Sequence, residues 1–238
     1  MDLTNIKTLT FDCYGTLIDW ERGILDALRP MRSRAASART DSAVLQEFAD
    51  CESRQQILTP AMLYTGVLTE VHQQLGERWG VQNDPAEDRR FGASVGDWPA
   101  FPDAAPALAY LATRFRLAIL SNVDRASFAR SNAKLGVTFD AIYTAQDIGS
   151  YKPSQRNFTY LIERLEEQDV TRDETLHVAQ SLYHDHVPAN AAGLRSVWID
   201  RRGDAGGWGA TAAPPDDVRY EARFPSLEAF AAACRNGG

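Results

Sequence analysis

The chain has 238 residues, 44% of them hydrophobic and 24% charged, a composition that excludes a disordered, collagenous or coiled-coil protein. Lys and Arg number 25 against 32 Asp and Glu, and the formal net charge of −7 argues against a nucleic-acid partner or an anionic membrane surface. Three scattered cysteines, Cys13, Cys51 and Cys234, form no CxxC pair and read as reduced thiols, not as a disulfide frame or a zinc site.

Met1 to Thr10 alternates polar and apolar residues and lacks the apolar run of a secretion signal. The longest aliphatic run, Leu117 to Leu120, is far too short to span a bilayer, so a soluble, cytoplasmic protein with no membrane partner is expected. Thr8–Asp12 reads as a first strand, followed at once by Gly15. From Asp19 to Gly96 the pattern is helical throughout, as in Met62, Val67, Val71 and Leu75. A helix over Ala105–Arg114 opens after Pro102-Asp103, where the Asp can cap it. Strands then alternate with helices: strand Leu117–Ser121, helix Arg125–Leu135 ending at Gly136, strand Ala141–Thr144, helix Gln155–Glu167. Strand Leu176–Ser181, helix His186–Ala192 ending at Gly193, and strand Ser196–Asp200 continue the alternation. Gly203–Pro215 reads as a loop without phosphate-cradle spacing, and Ser226–Cys234 as a closing helix.

Such alternation predicts an α/β fold with an open parallel sheet, in which reactive residues gather at the C-terminal ends of the strands. Asp12, Ser121-Asn122, Lys152 and Asp185 all fall at or just past those ends. Taken alone, each has a plain structural role as well. Asp12 can cap the Gly15 turn, Ser121-Asn122 can be turn formers, and Lys152 before Pro153 can be an exposed loop lysine. Asp185 can face a helix N-terminus, and Trp20 can belong to a core or to a pocket wall. His184 and His186 flank Asp185 without accompanying Cys or acidic ligands, which favours surface or hinge histidines over a metal site.

The ordered set of nucleophile, hydroxyl, lysine and acid, each after its own strand, resembles the haloacid dehalogenase superfamily over the whole chain. That resemblance implies a Rossmann-like parallel core over residues 1–18 and 97–238 and an inserted helical cap over 19–96. Phosphatases of the superfamily have a second Asp two residues after the nucleophile, and here that residue is Tyr14. Where they bind Mg²⁺ through a fourth-motif carboxylate, this chain has Gln180, a weaker ligand for a hard dication. The string Asp12-Cys13-Tyr14-Gly15-Thr16-Leu17 is instead similar to the metal-free 2-haloacid dehalogenases.

The resemblance implies that Asp12 displaces halide from C2 of a small 2-haloalkanoate and that water then frees the 2-hydroxy acid, with no metal or other cofactor. Thr16 would hold Asp12, Lys152 would keep it ionised, and Asp185 with Ser181 would direct the water. Ser121 and the Cys13 amide would bind the substrate carboxylate, with Asn122, Tyr14, Trp20, Phe158 and Tyr183 around the pocket. Phe158 replaces a family Tyr and Leu182 a family Asn, while Tyr183 and His184 stand ready to compensate. Arg54 is the nearest candidate for a halide-binding cap arginine. These departures keep open the hydrolytic opening of a strained ring such as azetidine-2-carboxylate, and more distantly a phosphatase. A homodimer is what the resemblance implies about assembly.

Overall fold

The structure is a computed structural model and describes residues 1–236. Six strands form one parallel sheet in the order β3-β2-β1-β4-β5-β6. Strand β1 is Thr8–Phe11, β2 Arg116–Ser121, β3 Ala141–Thr144, β4 Thr175–Ala179, β5 Arg195–Ile199 and β6 Arg223–Phe224. All four β1 residues are buried, as a strand covered on both faces requires. In register, Thr10 lies beside Ala118 of β2 on one side and His177 of β4 on the other.

Helices cover both faces. Leu108 of α5 (Ala104–Leu111), Phe128 of α6 (Arg125–Leu135) and Phe230 of α10 (Leu227–Asn236) join the larger apolar cluster. Phe158 and Leu161 of α8 (Gln155–Glu166) and Ala189 of α9 (Val187–Ala191) join a second one beneath Leu120. A one-turn helix, α7 (Ala145–Ile148), leads out of β3. Because β1 is flanked by β2 and β4, the chain leaves it in opposite directions, which opens a crevice beyond its C-terminal end. Asp12 stands in that crevice.

Between β1 and α5 lie four helices: α1 (Trp20–Arg32), α2 (Asp41–Leu58), α3 (Tyr64–Trp79) and α4 (Pro85–Ala93). Asp19, Thr40 and Asp84 each accept a backbone N–H at the start of α1, α2 and α4. Helix α3 packs on both α2 and α4, and His72 bonds Asp88 at 2.6 Å across the second contact. Among the described residues, no helix is long and apolar enough to cross a membrane. The three cysteines are free and buried.

Several sequence expectations shift. Strand β4 stops at Ala179, so Gln180 and Ser181 belong to the following turn, and a π-helical turn over Leu182–His186 precedes α9. The two-residue strand β6 is too short to leave a pattern in the sequence. Asp103 does not cap α5; its carboxylate accepts from the Leu227 amide at 2.8 Å and so caps α10, while Arg201 grips it with two bonds of 2.8 Å. The reason is reach: in its helical backbone conformation Asp103 turns its side chain away from α5.

Candidate active site

Asp12 follows the last residue of β1 and is 5% exposed. Thr16 donates to its Oδ2 at 2.7 Å, and the Lys152 ammonium donates to its Oδ1 at 2.8 Å. Thr16 Oγ1 in turn accepts from the Gln180 amide at 2.9 Å, which ties the loop after β1 to the end of β4. This loop needs Gly15, whose φ of +97° suits only glycine, and a Cβ there would lie 2.8 Å from Gln180 Oε1. Gly15→Ala is therefore expected to cost on the order of 1–3 kcal/mol, lowering the melting temperature by roughly 2–12 °C. Calorimetry showing an unchanged melting temperature would contradict that account of the turn.

Lys152 is 1% exposed and spends all three protons, on Asp12, on Asp185 Oδ1 at 2.6 Å and on the Leu120 carbonyl at 2.9 Å. Its backbone is clamped by Asn122, which accepts from the Lys152 amide at 2.7 Å and donates to the Lys152 carbonyl at 3.0 Å. The two neighbouring carboxylates raise the Lys152 pKa against the effect of burial, so the ammonium stays charged.

The two carboxylates differ. Burial pushes the Asp12 carboxyl up from its ordinary value, with Lys152 pulling it down and Asp185 pushing it up. Asp185 is buried too, but Lys152 and His177 hold it well below the usual carboxylate range. Its Oδ1 accepts from His177 Nε2 at 3.0 Å as well as from Lys152, whereas its buried Oδ2 has no hydrogen-bond partner. Asp185 is thus a fixed anion with one acceptor oxygen spare.

Asp12, Lys152, Asp185, Asn122, Ser181 and His184 line a cavity of about 30 Å³ together with Tyr14 and Val123. Helices α1–α3 close it with Trp20, Glu52 and Tyr64. A space of that size suits a small ligand. A roomier groove of about 330 Å³ adjoins it at Lys152 and His184 and runs past Tyr151, Ile57 and Tyr183.

Residues 6–193 match the family model of the haloacid dehalogenase-like hydrolases. The chain belongs to that family. Among curated relatives of the family, (S)-2-haloacid dehalogenase 4A of Burkholderia cepacia is 26% identical over 214 residues, covering 84% of this chain and 85% of that protein. The L-2-haloacid dehalogenase of Xanthobacter autotrophicus with chloropropionic acid covalently bound superposes with a TM-score of 0.77 at 19% identity, over 98% of this chain and 100% of that one. A HAD-hydrolase structure from Bacillus subtilis, bound to magnesium, superposes with a TM-score of 0.73 at 20% identity, over 96% of this chain and 98% of that one. These structural likenesses confirm the α/β fold of the family.

Within this family fold the structure brings together Asp12, Thr16, Lys152, Asp185, Asn122 and Ser181, and it places Tyr14 and Trp20 in the cavity wall. The Tyr14 hydroxyl is occupied by Ser131 Oγ at 2.7 Å, so the wall receives its ring. Ser121 ends β2 with a buried hydroxyl that has no partner, and Cys13 is buried next to Asp12 in the chain; neither side chain is among the residues lining the cavity.

Four expectations are corrected. Phe158 lies in the second apolar cluster, its ring edge-on to His177 at 5.1 Å, and does not line the cavity. Tyr183 lines the adjoining groove, because the π-helical turn directs it away from Asp12. His184 and His186 are buried, not surface residues, and burial lowers each pKa to about 4, which leaves both neutral. Arg54 is exposed and absent from the lining, whereas Glu52 faces the cavity. Residues two apart on a helix project about 200° apart, so α2 cannot turn both inward.

The sequence also concealed two supporting residues. His177, in the middle of β4, accepts from or donates to Thr10 Oγ1 at 2.9 Å through Nδ1 and so steers Asp185 through its other nitrogen. Its signal was a lone histidine in the apolar run Leu176 to Ala179. Arg201, just past β5, donates to the Thr16 carbonyl at 2.8 Å while bound to Asp103; nothing in the sequence relates position 201 to position 16.

Proposed function

We propose that the chain is a metal-independent hydrolase in which Asp12 attacks C2 of a small 2-haloalkanoate and produces the 2-hydroxy acid. The observation that carries this reading is the Asp12 carboxylate, held by Thr16 and a fully bonded Lys152 at the wall of a small cavity. A nucleophile fixed in this way meets a bound carbon without further reorganisation.

Asp12 Oδ forms a bond to C2, and the pair of the carbon–halogen bond leaves with the halide. Ser121 Oγ, buried and without a partner, and the Cys13 amide would take the substrate carboxylate. Water would next attack the carbonyl carbon of the Asp12 ester, its proton drawn by the spare Oδ2 of Asp185, with Ser181 beside it. The helical segment 19–96 serves as the cap over a core of residues 1–18 and 97–238, contributing Trp20, Glu52 and Tyr64 to the pocket wall.

The donor set is poor for Mg²⁺. Both carboxylates already share one ammonium, and the neighbouring side chain at the end of β4 is the neutral Gln180. Among the described residues, no group of three or more His, Cys, Asp or Glu side chains is placed to hold a metal ion.

Turnover of (S)-2-chloropropionate with EDTA present is the direct test. Release of phosphate from p-nitrophenyl phosphate only when Mg²⁺ is added, with no dehalogenation, would overturn the reading. The pH profile is a second check. Attack requires ionised Asp12, and burial raises that carboxyl. The rate is therefore expected to fall as pH drops, with a midpoint above the ordinary Asp value of about 3.9. A profile of kcat/KM flat down to about pH 4 would show that Asp12 ionisation does not limit the reaction.

A further inference from the structure

We propose that Glu52, with the aromatic rings beside it, makes the cap side of the Asp12 cavity a subsite for a protonated nitrogen, so that the site also takes small carboxylates whose C2 substituent leaves as an amine. This rests on Asp12 acting at C2 as proposed above, and it changes only what departs.

The observation is an uncompensated carboxyl. Glu52 lies on α2, is 3% exposed and lines the cavity together with Asp12, Lys152 and Asp185 of the core. Tyr64 donates to its Oε1 at 2.5 Å, and among the described residues no Lys, Arg or His pairs with it. Burial raises its pKa to about 7, with Tyr64 opposing the rise. A buried carboxyl without a cation is held near neutrality at a cost, and a positive ligand relieves that cost.

The rest of the wall suits the same ligand. Tyr14, Trp20 and Tyr64 are three aromatic residues of the lining, and aromatic rings are favourable neighbours for ammonium groups. Halide has no comparable welcome: the cation in the lining, Lys152, has no proton left to offer. Displacement at C2 requires the leaving group to lie opposite the incoming Asp12 oxygen, which points it at the cap residues.

The chemistry balances. Asp12 Oδ bonds to C2, the C2–N⁺ bond breaks, and its electron pair stays on nitrogen as a neutral amine. Water cleaves the ester, and the proton set free on hydrolysis ends on that amine. For a cyclic substrate, the ring opens to a 2-hydroxy acid bearing an ammonium group, with no net proton released, whereas a haloacid releases one.

The groups facing Glu52 are Tyr64 from α3, Tyr151 from the loop before α8 and, across the cavity, Asp12, Lys152, Asp185 and His184. His184 is neutral, and Lys152 is committed to the two aspartates. Glu52 is thus the carboxyl whose charge a bound cation can change.

The test separates binding from turnover. Calorimetry at pH 8 would measure azetidine-2-carboxylate and (S)-2-chloropropionate binding to Asp12→Asn and to Asp12→Asn/Glu52→Gln. The amide keeps an oxygen for Tyr64, and a thermal melt checks that the fold survives. The expected result is at least tenfold weaker binding of the cyclic amino acid to the double variant, with the haloacid unaffected or tighter. Proton release on binding the amino acid at pH 6.5, absent in the double variant, is the accompanying signature. Equal loss for both probes, or no binding of the amino acid to Asp12→Asn, overturns the inference. Haloacid turnover by the unaltered enzyme reports separately on Asp12 at C2.

Discussion

Asp12→Asn is expected to abolish turnover, lowering kcat on the order of 10⁴-fold or more, as removal of a covalent nucleophile does elsewhere. The fold should survive, because an amide oxygen can still accept from Lys152 or Thr16 in the same place. Substrate binding should persist as well, so the loss falls on kcat and not on KM. Single-turnover hydrolysis in heavy-oxygen water distinguishes how the nucleophile works. If the ester forms, solvent oxygen enters the Asp12 side chain in the first turnover, and the product carries an oxygen that belonged to Asp12. If water attacks C2 directly, the label goes to product and the peptide containing Asp12 stays unlabelled. The second pattern, or near-normal rates in Asp12→Asn, would remove Asp12 from the role given to it.

Lys152→Met should have the next largest effect, on stability and rate together. The buried ammonium compensates Asp12 and Asp185 at once. Removing one partner of a buried ion pair costs about 3–5 kcal/mol, a fall of roughly 6–20 °C in melting temperature for a chain of this size. With the cation gone, Asp12 loses the charge that opposes its burial, so less of it is ionised near neutral pH. A loss of roughly 10²–10³-fold in kcat is expected from the missing electrostatic support alone. The coupling can be isolated: Lys152→Met/Asp185→Asn removes the second anion and should recover part of the stability while leaving the enzyme inactive. Strict additivity of the two changes would mean that the three groups do not act as a unit.

The sheet was readable because a buried parallel strand has to be apolar on both faces, and TLTF and LAILS, buried at every position, have no other obvious home, whereas the edge strand AIYT leaves Ile142 exposed. The positions past the strand ends were readable for the same reason, since only there does such a fold expose polar side chains to a shared crevice. Asp12, Lys152 and Asp185 follow from that logic, and the structure joins them through one ammonium. What escaped depends on contacts between distant segments. Glu52 and Arg54 are equally polar in the sequence, and only the rotation of α2 against α3 decides which faces inward. Phe158 sits at a family pocket position but finds a better place against His177 and Leu161. Asp103 has the look of a local cap, yet its partners lie near the end of the chain.

Those partners give the C-terminus an influence on chemistry far from it. Asp103 fastens the start of α10 and also anchors Arg201, whose guanidinium lies 4.1 Å from the Phe101 ring and reaches the carbonyl of Thr16. The final helix therefore acts as a doorstop behind the residue that steadies the nucleophile. Clipping it off would strip Leu227 and Phe230 from the larger apolar cluster and leave Asp103 without its amide partner, so the fold and the tether on the Thr16 carbonyl would loosen together.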